Sequence, residues 1–205
     1  MASIKPIPCG PCRDHSNINN MTMNIETKIE INMKKNISDM ICRTDGRAIV
    51  VETLGKVNLL TSDGKLQKQL PIPDLEGNTL KSIPVETKSG LFNLVYCNDR
   101  VIYSDYNGKA VYCYDGSGKQ IWQYTQDLSG PEGLCTDSYG NIIVTDYNSD
   151  RIIVISKDGQ NSKVLIGRDY GLNSPQCICF KHNESSGFIC DYRGTYIAKF
   201  LLSSG

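Results

Sequence analysis

Histidine, tryptophan and net charge are all scarce in this 205-residue chain, which has one Trp, two His, and Lys plus Arg equal to Asp plus Glu at 22 each. The shortage of histidine removes the commonest general base. His15 and His182 lie in polar stretches without a nucleophile pattern beside them, and neither a glycine-rich phosphate loop nor a cluster of metal-ligand residues is present. The expectation is no catalytic residue, no cofactor and no metal. A balanced charge excludes the broad basic footprint of nucleic-acid binders and leaves RNA only a local patch. No apolar run approaches the ~18 residues that read as a membrane span. Residues 1–25 hold no signal-peptide core, so the chain is expected to be cytoplasmic, with no membrane partner.

What the chain does have is a recurring segment. Val144-Thr145-Asp146-Tyr147-Asn148-Ser149-Asp150-Arg151-Ile152 repeats loosely as Ile102-Tyr103-Ser104-Asp105-Tyr106-Asn107-Gly108-Lys109-Ala110-Val111, and again as Ile189-Cys190-Asp191-Tyr192-Arg193-Gly194-Thr195-Tyr196-Ile197. The spacing of about 40 to 45 residues falls in the range of propellers and solenoids. A weaker copy runs from Ile49 to Val57, with Glu52 in the aspartate position. The surplus before the next copy falls between Pro71 and Pro84, where proline and glycine spell a connector.

Each copy joins apolar alternating runs through polar turns. Asp-Gly pairs at Asp63-Gly64, Asp115-Gly116 and Asp158-Gly159 are hairpin signals, because glycine accepts the positive φ that such turns require. The runs are dense in Val, Ile, Tyr and Thr, which suit pleated, half-buried surfaces. Each unit therefore reads as four short antiparallel strands, one propeller blade. The expected fold is all-β: a partial β-propeller of about four four-stranded blades over residues 37–205, preceded by an irregular, disordered segment at 1–20 and one extra strand within 21–36. The apolar residues of Met21 to Met33 stand mostly two apart, which is strand periodicity. Two placements remain open for that strand, closing a blade begun at the other end of the chain or lying exposed on the surface.

The stretch Gly130 to Ile152 resembles the NHL repeat, whose pattern runs Pro-x-Gly-Ile, Asp-x-x-Gly-Asn, Val-x-Asp and Asn-x-x-Arg-Ile; Pro131, Gly133, Asp137, Gly140, Asn141, Asp146, Asn148, Arg151 and Ile152 carry the match. Residues 91–124 lack the arginine, with Lys109 nearest its place, and residues 172–202 lack both the asparagine and the arginine. The layout is similar to that of tripartite-motif proteins ending in NHL-type propellers, and Cys9-Gly10-Pro11-Cys12 resembles the opening of a B-box. Only His15 follows before Cys42 as a further ligand, so the pair reads as a remnant, a partial zinc site or a redox pair, and no metal is assigned. The resemblance implies a non-enzymatic protein-interaction module, similar to the substrate-recognition end of a ubiquitin ligase but without the RING finger. Alternatives are an RNA-binding NHL propeller and a gluconolactonase-like metal-dependent hydrolase, for which Glu52, Asn93 and Glu132 are the candidate axial residues.

Three aspartates, Asp105, Asp146 and Asp191, are expected to be structural, capping turns through backbone amides, with Arg151 bridging to a carboxylate of its own or the next blade. Three tyrosines, Tyr106, Tyr147 and Tyr192, follow them at the same point of each copy and are the candidate binding residues. They offer either a platform for a protein partner or for unstacked bases, or packing over blade edges. Cys42, Cys97, Cys135, Cys177, Cys179 and Cys190 fall in apolar strand runs and read as free, buried thiols of a reducing compartment. Propellers typically use about 4 to 8 blades, so four copies predict a strained ring, self-association through open blade edges, or a truncated product of a longer gene, the last being favoured.

Overall fold

The computed structural model describes residues 17–31, 36–42, 48–52, 56–60, 66–71, 91–181 and 184–204. The Cys9/Cys12 pair, both histidines and most of the Pro71–Pro84 connector lie outside them. Sixteen strands are described: β1 (Met21–Glu30), β2 (Ile37–Cys42), β3 (Ala48–Glu52), β4 (Lys56–Leu60), β5 (Leu66–Pro71), β6 (Leu91–Cys97), β7 (Arg100–Asp105), β8 (Ala110–Asp115), β9 (Gln120–Tyr124), β10 (Pro131–Thr136), β11 (Ile142–Asp146), β12 (Arg151–Ile155), β13 (Ser162–Ile166), β14 (Pro175–Phe180), β15 (Ser186–Asp191) and β16 (Tyr196–Ser204). The described helical residues form three short 3-10 turns, at Ile18–Asn20, Tyr147–Ser149 and Arg168–Tyr170.

The strands form four four-stranded antiparallel sheets, ordered β2-β3-β4-β5, β6-β7-β8-β9, β10-β11-β12-β13 and β1-β16-β15-β14, here blades I to IV. In blade IV the outermost strand is β1, which runs antiparallel to β16 from Met21 opposite Ser204 to Glu30 opposite Tyr196. Its alternation puts Met21 and Met23 in the core with Phe200 and Leu202. This fastens one end of the described chain to the other and pairs β16 on both sides.

Apolar residues fill the spaces between neighbouring sheets. Ile143, Ile152 and Val154 of blade III meet Ile178, Ile189 and Ala198 of blade IV. Val111, Cys113 and Trp122 of blade II meet Leu134, Val144 and Ile153 of blade III. Ile37, Met40 and Val50 of blade I pack with Cys177, Phe188 and Ile197 of blade IV. Each fully buried aliphatic or aromatic side chain contributes about 1.5–3 kcal/mol. The chain is a β-propeller, with β2, β6, β10 and β14 as the innermost strands of its blades.

A shared irregularity marks those strands. The ladder slips between Ile37 and Asp39, Leu91 and Asn93, Pro131 and Leu134, and Pro175 and Cys177. Bulges of this kind re-aim side chains, and here they fall at one end of the ring in every described blade.

One expectation about cysteine is corrected. Cys97, Cys113, Cys135, Cys177 and Cys190 are free thiols, but Cys179 is disulfide-bonded. The uniform reading of these positions as free thiols fails at Cys179, because strand pattern shows burial and not which thiols meet in the fold. The reducing compartment inferred from it loses that support. No helix among the described residues is long and apolar enough to cross a membrane.

Candidate functional site

The site begins with the turn that follows the second strand of a blade. Asp146 is fully buried at the end of β11. Its Oδ1 accepts the backbone N–H groups of Ser129 at 3.0 Å and Gly130 at 2.7 Å, and its Oδ2 accepts Nε of Arg151 at 2.9 Å. Arg151 also pairs with Asp127 at 2.8 Å, so one guanidinium ties the turn to the segment leading into blade III. In blade II, Asp105 accepts the Gly108 N–H at 2.8 Å. In blade IV, Asp191 accepts from the Thr195 N–H at 2.7 Å and the Thr195 hydroxyl at 2.8 Å. These carboxylates face backbone donors of their own blades, and among the described residues no group of three or more His, Cys, Asp or Glu is placed to hold a metal.

Each buried aspartate positions the tyrosine after it. Tyr106, Tyr147 and Tyr192 are half-buried and touch in series, edge to face, with ring centroids 6.4 Å apart for Tyr106 and Tyr147 and 6.2 Å for Tyr147 and Tyr192. The hydroxyls of Tyr106 and Tyr192 reach the neighbouring blade. Tyr106 donates to Asn148 at 3.0 Å, and Asn36, just ahead of β2, donates to the Tyr192 hydroxyl at 2.6 Å. The three candidate residues therefore form one continuous aromatic arc across blades II, III and IV.

The arc lies at the end of the ring where the innermost strands begin. The Tyr147 N–H donates to the Gly130 carbonyl at 2.8 Å, and the Tyr192 N–H to the Ser174 carbonyl at 3.3 Å. One or two residues further into β10 and β14 come Glu132 and Gln176, at equivalent bulged positions of adjacent blades. They are 6% and 7% exposed, and Glu132 Oε2 and Gln176 Oε1 have no hydrogen-bond partner. On the other side of the axis Asn93 of β6 hydrogen-bonds the carboxyl of Asp39 in β2, which links blades I and II. Burial pushes Glu132 up to about 7. Burial also raises Asp39, against the opposing pull of its bonds to the Met40 N–H and Asn93.

Of the three residues the sequence proposed for an axial site, Asn93 and Glu132 stand on innermost strands. Glu52 does not; it ends β3, opposite Ile37, where Asp105 sits opposite Leu91 in blade II. Sequence reasoning missed Asp39 and Gln176. Their signal was position, each one or two residues past the apolar residue that opens an innermost strand.

No known family profile matches the chain, and no curated protein matches it. Solved structures do. A glutaminyl cyclase from Myxococcus xanthus is similar over 90% of this chain and 98% of its own, with 11% identity and a TM-score of 0.61. The WD40 β-propeller domain of Doa1 covers 80% of this chain and 50% of its own, at 12% identity and TM-score 0.49. A virginiamycin B lyase from Staphylococcus aureus covers 87% of this chain and 59% of its own, at 16% identity and TM-score 0.43. At such identities the likeness concerns the fold alone. The glutaminyl cyclase is an enzyme by name, so the fold does not by itself support the expectation of a non-enzyme.

Proposed function

We propose that this propeller is a binding module that takes a segment of a partner protein across the face carrying Tyr106, Tyr147 and Tyr192. The observation that carries this reading is the edge-to-face series of three half-buried tyrosines from successive blades. Tyrosine supplies large, rigid contact area at low entropic cost and is enriched at interface hot spots. The exposed Asn107, Asn148 and Arg193 beside the rings add polar contacts at the rim. In the setting of a tripartite-motif protein, such a face selects the protein that receives ubiquitin.

The test is binding of the purified chain to an array of random-sequence peptides, with single-stranded RNA oligonucleotides as a second probe. Replacing Tyr106, Tyr147 and Tyr192 singly by leucine should weaken peptide binding about tenfold or more at the strongest position, while the melting transition stays cooperative. Peptide binding that ignores all three replacements overturns the reading. Affinity for RNA alone, falling steeply with salt, would replace it with nucleic-acid recognition.

A further inference from the structure

Two buried oxygens on the axis remain unused by the fold. Glu132 Oε2 and Gln176 Oε1 come from equivalent places in adjacent blades, each on a side chain more than nine-tenths buried and each without a partner. Buried acceptors normally find donors, because an unpaired one loses its hydration without replacement. The ion pairs of the described residues lie elsewhere, at Arg151, Arg168, Lys181 and Lys199. Asp39 of blade I adds a second carboxyl, joined to Asn93 and only half-buried. The innermost strands of the four blades thus carry two carboxyls and two amides at or beside their bulges. The tyrosine arc borders the same end, and aromatic faces attract cations.

We propose that Glu132 and Gln176 receive a cationic group, the ammonium or guanidinium of a basic residue in the bound peptide, inserted along the propeller axis from the tyrosine face. This rests on the binding-face reading and names the chemical class of its ligand. A basic group supplies the donors both oxygens lack, and its charge complements Glu132 with Asp39 close by. The aliphatic stem of Lys or Arg is long enough to pass the tyrosine rim while its head reaches the axis.

The probe is the same peptide array, with every basic peptide also printed as its neutral counterpart, acetyl-lysine for lysine and citrulline for arginine. The wild-type protein should bind basic forms about tenfold or more tightly than the neutral ones, as pairing with a desolvated carboxylate does. Glu132→Gln keeps the side-chain volume and should bring that ratio close to one. Gln176→Met should reduce it in the same direction. Equal binding of basic and neutral forms, or a ratio that survives Glu132→Gln, overturns the axial inference while the binding face stands. Absence of peptide binding to the wild type overturns both.

Discussion

Two junctions between blades solve the same packing problem in opposite ways. Between blades III and IV the backbones approach directly. Gly133 has no side chain, and a Cβ there would overlap the Gln176 carbonyl. The Thr145 hydroxyl accepts the Gly133 N–H at 2.8 Å and donates to the Gln176 carbonyl at 2.8 Å, and aliphatic residues fill the rest. Between blades I and II the position of Gly133 is taken by polar residues, Asp39 and Asn93, which bond each other through their side chains. The face of blade II turned away from blade III carries stacked tyrosines, Tyr103 with Tyr112 at 5.0 Å and with Tyr114 at 5.9 Å. The lesson is that one repeat position decides the character of a junction. Glycine closes it backbone to backbone, whereas polar side chains close it through a hydrogen bond between their heads.

The sharpest way to break that contrast is to put a side chain where blade III has none. Gly133→Val should cost about 3 kcal/mol or more through overpacking against immovable backbone, read as a large drop in the urea midpoint, and the same change at a surface glycine such as Gly167, which has open space around it, should not. Thr145→Val comes next. It keeps the shape but strands the Gly133 N–H and the Gln176 carbonyl, for an expected loss of about 2 kcal/mol in denaturant unfolding. Asn93→Leu, at the polar junction, should cost about 1 kcal/mol, because Asp39 keeps the Met40 N–H at 2.7 Å and partial contact with water.

A pH dependence probes the same region through Glu132. Glu132 titrates near 4.5 in the open chain and is pushed up to about 7 in the fold by burial. Between those values the folded state holds a proton that the unfolded state has released, so stability should fall as pH rises from about 4.5 to 7. Glu132→Gln should flatten that slope in thermal melts across the window. An unchanged slope would show that another group sets it.

Much of the architecture was legible. The repeated Asp-Tyr segments, the Asp-Gly turns and the alternation of Val, Ile, Tyr and Thr mark blade strands, because hairpins depend on local turn chemistry and a period of two. The arc of Tyr106, Tyr147 and Tyr192 was legible as positions, and only the fold gives it centroid spacings near 6 Å. Asp39 and Gln176 were not legible as site residues. A bulge shifts a side chain relative to its ladder, and nothing in the strand pattern announces which polar residue then meets the axis. Glu52 was grouped with Asn93 and Glu132 for its chemistry alone, although its place is at the end of a second strand.

The sequence by itself determined the all-β class, the blade repeat, the aspartate-led turns and the tyrosine after each, since these rest on contacts between residues near in the chain. The tertiary structure decided the rest. It chose the blade-closing placement of Met21–Glu30 over the exposed one, because pairing with β16, at the far end of the chain, puts Met21 and Met23 into a core with Phe200 and Leu202. It also brought Asp39 to Asn93 and left Glu132 and Gln176 buried with an unpartnered oxygen each, because such surroundings belong to the way blades pack around one another and not to any single repeat.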